Sequence, residues 1–179
     1  MLSLILKTIW LLIPAYTPNN FAVLFGGGKP MDFGKNFIDG RRILGDGKTI
    51  RGFFAGIAGG VFCANIQYLI EKLTKIPLYS SLSYNEFIVL VFLLALGAMT
   101  GDAIGSFIKR RIGIERGGVF PVVDQLMFLF IALLIASRYS PFWKVFDLQT
   151  VIIGILITPV LHILTNYIAY KLNLKEVPW

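Results

Sequence analysis

Charge is scarce in this chain. Asp, Glu, Lys and Arg supply only 15% of its 179 residues, whereas 56% are hydrophobic. Soluble domains carry about 25% charged and about 45–50% apolar residues, so the composition excludes an ordinary soluble domain and points to a membrane protein. Cysteine is nearly missing as well. Cys63 stands alone inside an apolar run, which rules out a disulfide framework and a cysteine-based metal site and leaves a small packed residue as the simpler reading. The segment from Met1 to Phe25 has neither a basic leader nor a small-residue cleavage motif, so no removable signal peptide is expected. Gly47-Lys48-Thr49 resembles the end of a phosphate-binding loop, but the leading glycine that motif requires is replaced by Arg42, and no apolar strand precedes it. A P-loop is excluded.

Long apolar runs are what the chain has instead. A helix needs roughly 20 mostly apolar residues to cross a bilayer core. Residues 52–70, 87–108, 119–137 and 148–170 qualify, and residues 2–25 form a fifth run with Lys7 as its one charge, interrupted by Pro14, Pro18, Asn19 and Asn20. The expectation is an all-α membrane protein: one integral-membrane domain over residues 1–179, with five transmembrane helices and loops at about 26–51 and 109–118. Breaks at membrane depth survive only where protein or a wet cavity satisfies the freed backbone, so the first span is read as a helix ending in an irregular entry to the loop.

Basic residues set the orientation. One side holds Lys29, Lys35, Arg41, Arg42, Lys48, Arg51, Lys109, Arg110, Arg111, Arg116, Lys171 and Lys175; the other holds Lys7, Lys72, Lys75, Arg138 and Lys144. The richer side belongs in the cytoplasm, which places the N-terminus outside, the C-terminus inside and both loops in the compartment that contains nucleotides. Topology thus accounts for the net charge of +7, and nucleic acid is not needed as a partner.

Two glycine ladders, Gly52/Gly56/Gly60 and Gly97/Gly101/Gly105, mark close helix packing and suggest that spans two and three meet there. Chemistry is suggested by Asp102 and Asp124, since a carboxylate in an apolar span marks a functional site by default. Asp102, Ser106 and Lys109 share one helix face. Asp124 falls in the first turn of the fourth span after Pro121. Two acids flanking a basic loop suit an Mg²⁺–phosphate site, because magnesium takes one or two carboxylates plus phosphates and water. A structural ion pair of Asp102 with Lys109 or Arg110 is the other reading. His162 and Asn166 share a face of the last span with Thr158 and Tyr170, as a proton relay, a ligand or a helix–helix hydrogen bond. Glu71, Glu86, Asp147 and Glu176 fall at span ends, where solvation suffices.

Residues 19–53, "NNFAVLFGGGKPMDFGKNFIDGRRILGDGKTIRGF", and residues 97–128, "GAMTGDAIGSFIKRRIGIERGGVFPVVDQLMF", resemble the two signature blocks of the archaeal CDP-archaeol synthase family. The second is also similar to the bacterial CDP-diacylglycerol synthase motif at Ser106, Lys109, Arg110, Pro121, Asp124 and Gln125. The resemblance implies a membrane cytidylyltransferase, with active site facing the cytoplasm, that uses CTP, an isoprenoid glycerol phosphate lipid and Mg²⁺. It implies Asp102 and Asp124 as metal ligands and Lys109, Arg110, Arg111 and Arg116 on phosphates. Lys48, Thr49 and Arg51 would form the nucleotide side, with Asp39, Arg41, Arg42 and Asp46 ordering the loop. Relatives commonly carry an acid where this chain has Met127, which bears on whether one metal or two are held and leaves Asp46 as another candidate ligand. A small transporter with an intramembrane Asp and His is the reading from another class. A CDP-alcohol phosphotransferase would need Asp-Gly-x-x-Ala-Arg, whereas Asp39-Gly40 is followed by Arg41-Arg42.

Overall fold

The computed structural model describes residues 2–115 and 117–171. Helix follows helix: α1 (Leu2–Phe25), α2 (Ile50–Thr74), α3 (Tyr84–Arg111), α4 (Val123–Ala136), the short α5 (Phe142–Val145) and α6 (Leu148–Lys171), with a 3-10 turn at Tyr79–Ser81. No strand occurs among the described residues, and two isolated bridges, Pro30 with Thr49 and Asn36 with Arg42, lie in the loop between α1 and α2. α2, α3 and α6 are long and apolar enough to cross a membrane. Half of the most apolar stretch of α3 is buried against the other helices, compared with 11% for α6, so α3 is the central rod and α6 an outer one. Leu90, Val91 and Leu94 of α3 meet Leu11 and Leu12 of α1 and Leu129 and Leu133 of α4 in the main apolar cluster.

α1 corrects the first expectation. It runs unbroken through Pro14 and Pro18 to Phe25, because its neighbour meets the backbone groups that the prolines release. Pro14 cannot donate to the Trp10 carbonyl, and Gln67 of α2 does so at 2.7 Å. Pro18 likewise frees the Pro14 carbonyl, which faces Gly60 so closely that an added Cβ would lie 2.9 Å from it.

The ladder on α2 meets α3 as expected, and α1 as well. A Cβ at Gly56 or Gly60 would meet Met99 Sδ and Ala95 Cβ of α3 at 2.5 and 2.9 Å, and one at Gly52, Gly56 or Gly60 would meet the carbonyls of Ala22, Pro18 and Pro14 of α1 at 3.2, 2.8 and 2.9 Å. The ladder on α3 seats α4: a Cβ at Gly97 or Gly101 would come within 2.5 Å of Ala132 Cα or Met127 O. Small residues permit close approach without naming the helix that approaches.

Within residues 119–137 the chain is helical over the 14 residues Val123–Ala136, a rise of about 21 Å. Pro121 does not start this helix. Val122, with φ 70 and ψ −54, makes a tight turn closed by Val123 N to Pro121 O at 2.9 Å, a strained conformation for a β-branched residue.

The span-end acids are built in rather than merely solvated. Glu71 is buried and accepts from Trp10 Nε1 at 2.7 Å and from the amides of Leu78 and Ser80 at 3.0 and 2.7 Å. Glu86 closes a capping box with Ser83 and pairs with Lys144 at 2.7 Å. Asp147 caps α6 through Thr150 N at 2.7 Å and pairs with Lys7 at 2.9 Å. Glu176 lies outside the described residues.

Candidate active site

The loop from α1 to α2 folds around a carboxylate that the sequence reading passed over. The side chain of Asp32 has no exposed surface. Its Oδ1 accepts from Gly34 N and Arg42 Nη2 at 3.1 and 2.8 Å, and its Oδ2 from Arg42 Nε, Leu44 N and Gly45 N at 3.3, 2.9 and 2.8 Å. Burial pushes this carboxyl up, but the bonds from Arg42 and the three amides outweigh it and hold it well below the usual carboxylate range. The available signal was Asp32 two residues before Gly34, an Asx-turn spacing. Asn36 bridges to Arg42 across a tip at Asp39-Gly40, where Gly40 has φ 77 and Asp39 Oδ1 accepts from Arg41 N at 3.1 Å. Gly40 supplies the positive φ at no steric cost.

Reciprocal arginines clamp this loop to the end of α3. Arg111 donates to Asp39 Oδ1 and to the carbonyls of Arg41 and Arg42. Its guanidinium lies 4.8 Å from the Phe37 ring and 4.9 Å from the Phe107 ring, a stacked arrangement that suits arginine. Arg41 Nη1 returns a bond to Arg111 O at 2.7 Å. Arg110 donates to the carbonyls of Leu44 and Ile114.

The clamp delivers Lys48 to Asp102, with Nζ to Oδ2 at 2.5 Å. Lys109 donates to both oxygens of Asp124 at 3.0 and 3.1 Å and to Gly118 O at 2.8 Å. Asp124 Oδ2 also accepts from Phe120 N at 2.9 Å, which ties the carboxylate to the turn before α4. The structural pairing expected for Asp102 with Lys109 or Arg110 is therefore not what forms. Lys48, Asp102, Ser106, Lys109 and Asp124 line one small cavity of about 70 Å³, floored by Gly101, Gly105 and Phe128. A second cavity, of about 550 Å³, opens between Arg41, Arg42, Asp46, Arg110 and Glu115.

The whole chain, residues 1–179, matches the family described as CarS-like, CDP-archaeol synthase. The chain belongs to the CDP-archaeol synthase family. It is 68% identical over 179 residues to the CDP-archaeol synthase of Archaeoglobus fulgidus, covering 100% of both chains. Identity to the CDP-archaeol synthase of Methanospirillum hungatei is 46% over 170 residues, covering 94% of this chain and 100% of that one. It is also similar to a solved intramembrane enzyme for archaeal membrane lipids biosynthesis, with a TM-score of 0.74 and 35% identity over 90% of this chain and 94% of that one.

Within this family member the sequence-predicted residues divide into three groups. Lys48, Asp102, Ser106, Lys109 and Asp124 converge on the small cavity. Arg41, Arg42, Asp46 and Arg110 face the larger one. Asp39 Oδ1 and the two Nη atoms of Arg111 serve the clamp. Thr49 caps α2, its Oγ1 accepting from Gly52 N at 3.0 Å. Arg51 donates to the carbonyls of Phe25 and Gly26, both at 2.8 Å. Asp46 pairs with Arg42 at 2.8 Å and lines the cavity away from Asp102. Met127 packs toward Gly105. Arg116 lies outside the described residues. On α6, Asn166 Nδ2 and His162 Nδ1 are 3.2 Å apart within the helix, and Thr158 pairs with Tyr16 of α1 at 2.7 Å, a helix–helix contact. No group of three or more His, Cys, Asp or Glu suited to a metal occurs among the described residues. Two carboxylates on one polar cavity nevertheless fit a divalent cation that takes phosphates and water as its remaining ligands.

Proposed function

We propose that this chain is an integral-membrane cytidylyltransferase that makes CDP-archaeol and pyrophosphate from CTP and the unsaturated isoprenoid glycerol phosphate. The observation that carries this reading is the convergence of Asp102, Asp124, Lys48 and Lys109, from a loop and two helices, on one cavity, in a chain whose family is named for that reaction. A lipid phosphate oxygen attacks the α-phosphorus of CTP; the new P–O bond forms as the bond to the β-phosphate bridge breaks, and pyrophosphate leaves with the electron pair. Such transfer is mainly positioning and charge neutralisation.

Each group has a part in that scheme. Asp102 and Asp124 would hold Mg²⁺, which neutralises phosphate charge when bound. Lys48 sits where phosphate oxygens would enter and offers N–H donors to them, while Lys109, bonded to both Asp124 oxygens and to Gly118 O, orients that carboxylate. The larger cavity falls within the size range of about 300–1,000 Å³ that suits a small ligand, and Arg41, Arg42 and Arg110 around it supply cation and stacking surface for a nucleotide. The same scheme takes five membrane spans, counting α1 and the short α4, in a single domain of the cell membrane. Its active site faces the cytoplasm, a reading supported by the basic loops and the location of CTP.

The reaction is tested with purified chain in detergent, given α-labelled CTP, Mg²⁺ and an isoprenoid diether glycerol phosphate. Label in the lipid phase with equimolar pyrophosphate is the expected result. Absence of transfer with every lipid phosphate offered, together with solute flux in proteoliposomes, would return the chain to the transporter class, which the family match disfavours.

A further inference from the structure

The two lysine–aspartate pairs are built differently. Lys109 uses three acceptors, both oxygens of Asp124 and Gly118 O, and its side chain is only 15% exposed. All three ammonium protons are committed. Lys48 has one acceptor among the described residues, Asp102 Oδ2 at 2.5 Å, and both side chains of that pair are about a quarter exposed, 26% and 27%. Its backbone is pinned by Met31 N to Lys48 O at 2.8 Å and Lys48 N to Gly45 O at 3.2 Å, so the flexible stem can move while its root stays.

We infer that Lys48 is an exchangeable counter-ion of Asp102, surrendering the carboxylate to a divalent cation and taking a nucleotide phosphate in return, whereas Lys109 remains on Asp124 as its fixed orienting partner. The inference rests on the reading of this cavity as a metal-dependent nucleotidyl-transfer centre. An ammonium against a carboxylate repels an incoming dication and competes for the same lone pairs. Once displaced, the ammonium needs another anion, and a phosphate supplies it. Each ligand thus removes the other's competitor, so cation and nucleotide bind with positive coupling, and the coupling is reciprocal.

The test is Mn²⁺ binding by the full chain in detergent, followed by EPR with and without CTP and with no lipid acceptor, so that no turnover contributes. Lys48→Met is expected to bind Mn²⁺ alone roughly ten-fold more tightly than the native chain and to lose most of the gain CTP confers. Lys48→Arg, which keeps a cation on Asp102, is expected to behave like the native chain. Lys35→Met removes the same charge from an exposed residue of the same loop, and should change Mn²⁺ affinity little. Equal tightening in Lys35→Met and Lys48→Met would overturn the exchange, as would unchanged affinity in Lys48→Met when Asp102→Asn abolishes binding. Mn²⁺ binding that survives Asp102→Asn would overturn the underlying metal reading as well.

Discussion

Asp32 shows what single residues do in this molecule. It lies outside both cavities, yet five hydrogen bonds converge on it, and through them it sets the path of the loop that carries Lys48. Asp32→Asn keeps the shape but removes the charge facing Arg42. Amide exchange over residues 29–49 should then accelerate at least about ten-fold, and CTP use should fall with it; unchanged exchange would remove Asp32 from this role. Its pH behaviour follows from the direction of its shift. The folded group titrates below the unfolded carboxylate value of about 3.9, so its contribution is complete above that value and is lost as pH falls through the folded one. Loop protection should hold from neutrality down to about pH 4 and decay only in stronger acid, which exchange at graded pH would follow. In the sequence, Asp102 and Asp124 stand out as candidate site acids because charge in an apolar span is costly, and both line the small cavity. The partnership of Lys48 with Asp102 was not, because it depends on how the intervening loop folds back, which no local spacing encodes.

Among the elements, helix contacts depend on where the backbone comes bare. Gln67 of α2 donates to the Trp10 carbonyl that Pro14 frees, and the glycines of α2 let the two backbones approach there, a correspondence the sequence does not announce. Gly60→Ala should therefore wedge α1 from α2, since the new methyl meets Pro14 O, Pro18 Cγ and Ala95 Cβ, each at 2.9 Å. A loss of about 1–3 kcal/mol is expected for such overpacking, visible as a lower Tm in detergent. Gly105→Ala is the contrast: its methyl would meet Val123 and Met127 at 3.6 Å or more, and Tm should barely move. Equal losses in both variants would contradict the assigned contacts. Hydropathy groups residues 119–122 with the fourth apolar run, but they are not helical: the turn at Val122 spends them on placing Asp124.

As a whole, the molecule brings a charged loop from between α1 and α2 against the ends of α3 and α4, so that a site of lysines and aspartates stands at the edge of an apolar bundle. That placement suits a reaction joining a water-soluble nucleotide to a membrane-held phosphate. Composition and the long apolar runs disclosed the membrane character, and the two signature blocks disclosed the family. The clamp of Arg41, Arg110 and Arg111 emerged only in three dimensions, because its acceptors are mainly backbone carbonyls that leave no trace in residue type. The central claim is that Asp102 and Asp124 form one catalytic centre. Its most direct test is the rate of CMP transfer from labelled CTP to the isoprenoid glycerol phosphate at saturating Mg²⁺, comparing the native chain with Asp102→Asn and Asp124→Asn at matched Tm. Each variant should lose about two orders of magnitude or more, with the double variant little worse than either single one, as for groups that act as a unit. Near-native transfer by either folded variant would contradict the account.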